Sequence, residues 1–291
     1  MDRVIEHFIQ WAEGQPDVRA VILTSSRAVP GGKVDALSDY DVILAVADVT
    51  PFLNDKSWLS DFGPILVVYH DPVRTYHGRA CFREITQYED GLKIDFDLWP
   101  VEVLASVAAD AELPDELDVG YKVLLDEAGL TAGLKPPTYR AHIPKPPSEG
   151  AYLALVESFF QEGTYVAKHL WRDDLLAAKY NLDHAMKLLH LCPMLVWRFE
   201  LDHAWSIKPG DYGRGLKKHI SPELWARLES TYVGAGLEEN WEALFKTVAL
   251  FRDVAVEVGS RLGFAYPEEL HRRCVRYFER VRRMDPHATD L

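Results

Sequence analysis

Apolar residues recur along this chain with two different periods, and the change from one to the other divides the molecule. Near the start, Val4, Ile5, Phe8, Ile9 and Ala12 share one helical face, which predicts a helix over residues 3–13. Apolar, β-branched runs follow: VRAVILTS (18–25), YDVILAVA (40–47) and PILVVYH (64–70) each read as a strand. CFREITQYE (81–89) and LKIDFDLW (92–99) flank Asp90-Gly91, a hairpin turn signal. Residues 134–150, LKPPTYRAHIPKPPSEG, hold five prolines, too many for a helix or a central strand, and read as a linker. Beyond it the period is helical. Ser221-Pro222-Glu223 starts one helix with a serine cap and proline at the first helical position. Residues 240–262 repeat apolar positions every three or four. The pattern predicts an α+β chain: a mixed-sheet domain over 1–134, a proline-rich linker over 135–149, and an all-helical domain over 150–291.

Composition narrows the class. Of 291 residues, 48% are hydrophobic and 26% charged, the profile of a soluble globular protein. No apolar run approaches the roughly 20 residues that span a bilayer, so no membrane partner is expected. The N-terminal residues lack a basic segment followed by a small-residue cleavage site, and do not read as a secretory signal. Three widely separated cysteines, Cys81, Cys192 and Cys274, fit neither a disulfide framework nor a zinc cluster, and point to a reducing cytoplasm. Residues 1–140 carry 12 Lys/Arg against 24 Asp/Glu, a net −12; residues 141–291 carry the remaining 20 against 21, a net −1. A chain this acidic repels a nucleic-acid backbone, so no nucleic acid is expected as a partner.

The acidic half also holds the candidate chemistry. Strand side chains alternate faces, so Asp39 and Asp41 of SDYD are expected on one side with Tyr40 opposite. Two neighbouring carboxylates repel unless something positive lies between them, commonly a divalent cation. Asp95 and Asp97 of KIDFDLW share a face in the same way. Taken singly, SDYD equally reads as a turn, and Asp95 with Asp97 as an exposed sheet face. Taken together with the Ser-Ser-Arg strand end, they favour a cluster of three or four carboxylates, the oxygen ligand set of Mg2+.

This order of parts resembles the signature of the nucleotidyltransferase superfamily related to DNA polymerase β: a strand ending in Gly-Ser, a spacer, Asp-x-Asp, and a carboxylate on a later strand. Within it the chain is similar to the aminoglycoside 6-adenylyltransferases, which modify streptomycin, almost from end to end. The segments that carry the resemblance are SSRAVPGGKVDALSDYDV (25–42), EDGLKIDFDLWP (89–100) and TYVAKHLWRDDLLAAK (164–179). ISPELWARLESTY (220–232), WEALFKTVALFR (241–252) and YPEE (266–269) resemble later family stretches. The resemblance implies a nucleotidyltransferase domain followed by a helical acceptor-binding domain, with ATP and an aminoglycoside as small-molecule partners. It implies that Ser25, Ser26 and Arg27 lie at the terminal phosphates of ATP, with Lys168 reaching the triphosphate from the helical domain. Asp39 and Asp41 would bind Mg2+, and Asp95 would complete the metal site or take the acceptor hydroxyl's proton. The hydroxyl would attack the α-phosphorus and pyrophosphate would leave, positioning and charge neutralisation doing most of the work.

Two departures stand out. The family's first glycine is Ser25 here. The family's Ile-Asp-His after LLAA reads Lys179-Tyr180-Asn181, so the nearest carboxylate is Asp183, which with Asp97 is the expected acceptor-binding pair. Other chemistries lack their motifs: the chain has no P-loop, no H-E-x-x-H, no C-x-x-C and no G-x-S-x-G. Three readings follow: an aminoglycoside adenylyltransferase, a nucleotidyltransferase for another small hydroxylated acceptor such as a lincosamide, and a non-catalytic binding protein on the same fold.

Overall fold

The computed structural model describes residues 2–207 and 210–289, whose chain divides into two units between His142 and Ile143, inside the proline-rich segment. In the first unit α1 (Arg3–Glu13) is capped by Asp2, whose carboxylate accepts from the Val4 N–H at 2.9 Å. β1 (Val18–Thr24) runs into a 3-10 turn at Ser25–Arg27, and β2 (Tyr40–Val46) returns antiparallel to it. After α2 (Thr50–Asn54) come β3 (Ile65–His70), the short β4 (Arg74–Tyr76) and β5 (Arg79–Tyr88). The Asp90-Gly91 turn closes β5 onto β6 (Lys93–Pro100). α3 (Val101–Ala109), α4 (Asp115–Asp118) and β7 (Tyr121–Asp126) complete the unit.

The strand order is β3-β5-β6-β2-β1-β7, with β4 paired to β5. Among the described residues β2 and β6 are the parallel pair, and every other pairing is antiparallel. Both lie mid-sheet with both faces covered, which explains their nearly unbroken apolar runs. On one face Phe8, Trp11, Phe52, Trp58 and Phe62 pack against Leu23, Val42, Leu44 and Phe96. On the other, Val103, Leu104, Val107 and Leu117 cover Ile22, Ile43, Ala45 and Trp99. The strand period then fixes the chemistry: Asp41, Asp95 and Asp97 are two-residue steps from Ile43 and Trp99, so they belong to this second face. The β7 edge strand, which bonds to β1, was not expected from the apolar pattern.

The second unit is helical. α5 (Glu149–Trp171) is capped by Ser148, and α6 (Leu175–Lys179) leads without a break into a π-helical segment, Tyr180–Leu191, and α7 (Cys192–Asp202). α8 (Pro222–Glu229) starts at the expected Ser221 cap, and α9 (Leu237–Leu262) and α10 (Glu268–Arg282) follow. One core joins them, in which Phe159 of α5 stacks on Phe251 of α9 with ring centroids 3.7 Å apart. Among the described residues no helix is long and apolar enough to cross a membrane.

Candidate active site

Parallel pairing of β2 with β6 sets Asp41 directly beside Asp95. Thr24, the last residue of β1, stands opposite Asp41 on the other side. Asp95 is 8% exposed, and its Oδ1 is buried without a hydrogen bond. Burial, and next the charge of Asp95, push the Asp41 carboxyl up to about 6; Arg83 and a bond from Ser25 pull the other way. Two steps along β6, Asp97 is held by Arg83 of β5, whose Nε donates to Oδ1 at 2.8 Å while Nη2 donates to Oδ2. Burial raises the Asp97 pKa despite that partner.

Asp39 falls one residue before β2, and its Oδ2 accepts from Lys93 Nζ at 2.5 Å. The same ammonium is 3.0 Å from Asp95 Oδ1, without the angles of a hydrogen bond. Burial disfavours the charge on Lys93, but Asp39 and Asp95 outweigh it and raise its pKa. Asp41 and Asp95 therefore lie together, while Asp39 is drawn to Lys93 and Asp97 to Arg83. Among the described residues no three Asp, Glu, His or Cys side chains stand close enough to hold a metal ion between them. The expected meeting of Asp39, Asp41 and Asp95 at one point is reduced to a pair with two basic neighbours.

The turn after β1 closes the other side of the site. Ser25, at the family's glycine position, has φ +62°, the left-handed conformation that glycine adopts freely and serine does not. Its N–H donates to the Gly120 carbonyl at 3.1 Å, and its carbonyl accepts from the Ala28 N–H at 2.9 Å. Ser26 is exposed at the tip. Gly32 passes so near this turn that a Cβ there would lie 2.2 Å from the Ser26 carbonyl oxygen, which only glycine permits. Arg27 turns inward: it donates to the carbonyls of Asp39 (Nε, 3.0 Å) and Ser38 (Nη2, 2.8 Å), and its guanidinium lies 3.7 Å over the Tyr40 ring. It thereby fixes the backbone that presents Asp39.

The remaining candidates lie in the helical unit. Lys168, in the last turn of α5, rests its ammonium 4.5 Å over the Tyr165 ring. Asp183, in the π-helical segment, is clamped by Lys179 and Lys187, each 2.6 Å away. Lys187 is fully buried and also donates to the Thr231 carbonyl at 2.5 Å, so Asp183 serves as its counter-ion. Tyr180 is 62% exposed, and Asn181 donates to Glu162 Oε2 at 2.8 Å.

Arg83 and Lys93 are the site residues that sequence reasoning missed. The hairpin turn held the signal: pairing outward from Asp90 sets Gln87 opposite Lys93 and Arg83 opposite Asp97.

A sheet that carries adjacent carboxylates next to a tight hydroxyl-bearing turn is compatible with nucleotidyl transfer, and it is the comparisons with known proteins that show the class. A family model described as streptomycin adenylyltransferase matches residues 1–281, and the chain belongs to that family of enzymes. It is 28% identical over 270 residues to an aminoglycoside 6-adenylyltransferase of Bacillus subtilis (strain 168), covering 91% of this chain and 92% of the relative. An aminoglycoside 6-adenylyltransferase of Campylobacter jejuni is 26% identical over 268 residues, covering 91% and 90%. Among solved structures, an aminoglycoside 6-adenyltransferase from Bacillus subtilis superposes with a TM-score of 0.48 at 25% identity, covering 97% of this chain and 98% of that one.

Proposed function

We propose that this protein transfers AMP from ATP to a hydroxyl of an aminoglycoside, streptomycin first among the candidates, with Mg2+ as the metal and pyrophosphate as the second product. The observation that carries the reading is the register neighbourhood of Asp41 and Asp95 next to the Ser25–Arg27 turn. The donor set suits Mg2+: both carboxylates offer hard oxygen, and the buried Asp95 Oδ1 has the Lys93 ammonium 3.0 Å away but no hydrogen bond, so a cation in that place would meet a group already paired with positive charge. Asp41, Asp95 and, once released from Lys93, Asp39 are the residues that would hold the ion. When bound, the ion supplies positive charge to the triphosphate and to the transferred phosphoryl group.

The chain's own groups do the rest. Backbone N–H groups of the tight turn and the Ser26 hydroxyl bind phosphate oxygens, and Ser25 beside Asp41 favours the ionised form of that carboxyl. Arg27 keeps Asp39 presented by fixing its backbone. Asp95 either joins the ligand set or, once Lys93 has moved aside, accepts the proton of the attacking hydroxyl at Oδ1. Such chemistry belongs in a reducing, ATP-rich cytoplasm.

One observation favours a different acceptor within the same reaction. Asp183 is already neutralised by two lysines, which leaves it a poor partner for the guanidinium groups of streptomycin. A pyrophosphate-release assay with Mg-ATP and separate aminoglycosides and lincosamides tests both readings. Acceptor-dependent pyrophosphate with streptomycin supports the first, and with a lincosamide alone the second. Release with no acceptor of either class contradicts both.

A further inference from the structure

We propose that Lys93 is the site's own counter-cation: its ammonium occupies the space between Asp39 and Asp95 in the nucleotide-free protein and yields it to the divalent ion when nucleotide loads. The inference rests on the metal-dependent reading above.

Placement comes from the strand itself. Lys93 opens β6 two residues before Asp95, so it shares that residue's face, and the parallel register that joins Asp41 to Asp95 carries its head to Asp39. The other basic groups are committed. Arg83 is bound through two nitrogens to Asp97, and Arg27 to the carbonyls of Ser38 and Asp39. Lys93 alone among the described residues bridges two of the three candidate ligands, at 2.5 and 3.0 Å.

Its hold is incomplete. Asp95 Oδ1 gains no hydrogen bond from it. The Lys93 and Asp39 side chains are 29% and 39% exposed, so water reaches the pair and the flexible lysine stem has room to leave. A divalent ion entering first meets an ammonium already seated, and its apparent affinity is multiplied by the fraction of protein in which Lys93 stands aside. Nucleotide changes this balance, because its phosphates give the displaced ammonium a new anionic partner. The device couples metal entry to nucleotide entry.

The test is a titration of Mn2+ alone, followed by electron paramagnetic resonance, into wild type, Lys93→Met, Lys93→Arg and Asp41→Asn, with circular dichroism as the folding control. Lys93→Met should bind Mn2+ about tenfold more tightly than wild type, as expected if the ammonium holds its place about nine-tenths of the time. Lys93→Arg should stay weak. Binding by Lys93→Met that is equal to or weaker than wild type overturns the inference. If Lys93→Met fails to fold, Lys93→Gln gives the same reading. Binding in wild type that Asp41→Asn removes and Lys93→Met leaves unchanged would keep the metal site and discard only the role of Lys93. No Mn2+ bound by any variant, with or without a non-hydrolysable ATP analogue, would discard both.

Discussion

Asp41 ionises against its surroundings: burial, then Asp95, and behind it Asp39, lift its carboxyl from 3.8 to about 6. Between those two values the folded protein keeps a proton that the unfolded chain has released. Stability contributed by this group is therefore present at low pH, falls as pH rises through the window, and stays lost above it. Asp41→Asn removes the titration. In metal-free buffer at pH 7 the variant should be more stable than wild type by on the order of 2–3 kcal/mol, with no difference near pH 3.5. Urea melts at the two pH values in the presence of a chelator check this; a difference independent of pH would contradict it. The same substitution should slow AMP transfer by about a thousandfold, some 4 kcal/mol of barrier. Ser25 makes the related case in the backbone. With φ +62° it suffers where a β-branched residue suffers more, so Ser25→Val should lose about 1–2 kcal/mol in thermal melts while Ser25→Gly loses none. That Asp95 and Asp97 step along one face was readable from a strand's two-residue period; that Asp41 stands beside Asp95 depends on the pairing of β2 with β6. Lys93 and Arg83 were not legible, because their roles depend on which strand lies alongside and in what register.

At the scale of elements, the β5–β6 hairpin pairs the buried Asp97 with the partly exposed Arg83. Removing Asp97 leaves Arg83 with access to water and with Asp95 and Asp41 still attracting it. Asp97→Asn should therefore cost only about 1–2 kcal/mol of stability, measured by urea melts, and alter the acceptor KM little. A large acceptor KM effect with unchanged stability would return Asp97 to the acceptor site. In the helical unit, Gly163 of α5 lets α10 approach: a Cβ there would meet Phe278 at 2.7 Å. Gly163→Ala should destabilise by about 1–3 kcal/mol through overpacking, as thermal melts would register. The helices of this half were legible from their apolar repeat and from the Ser221 cap. The π-helical turn of Tyr180–Leu191 was not, since an i+5 ladder differs from an α-helix by hydrogen bonding and hardly by apolar spacing. That is where the sequence departs from its relatives; the lysines that hold Asp183, the expected acceptor ligand, stand four residues to either side of it, a spacing that the chain itself displays.

The whole molecule keeps its acidity in the half that would receive a polyanion: residues 1–140 carry a net −12. Triphosphate approaching that surface is repelled unless cations accompany it. ATP binding measured by calorimetry should accordingly weaken at least about tenfold when Mg2+ is chelated, a loss of about 1.4 kcal/mol. Binding indifferent to chelation would contradict the metal's part. Charge asymmetry, the proline-rich junction and the change of apolar period were all readable along the chain; acceptor identity was not, because it is decided by side chains that meet only in the fold. The central claim is adenylyl transfer at the Asp41–Asp95 pair, and one measurement reaches it most directly. Streptomycin and a panel of other aminoglycosides are incubated with Mg-ATP and either wild type or Asp41→Asn, and the products are weighed by mass spectrometry. The account predicts an aminoglycoside heavier by one adenylyl group with wild type and none with Asp41→Asn; an unmodified panel with wild type, or equal modification by both proteins, would contradict it.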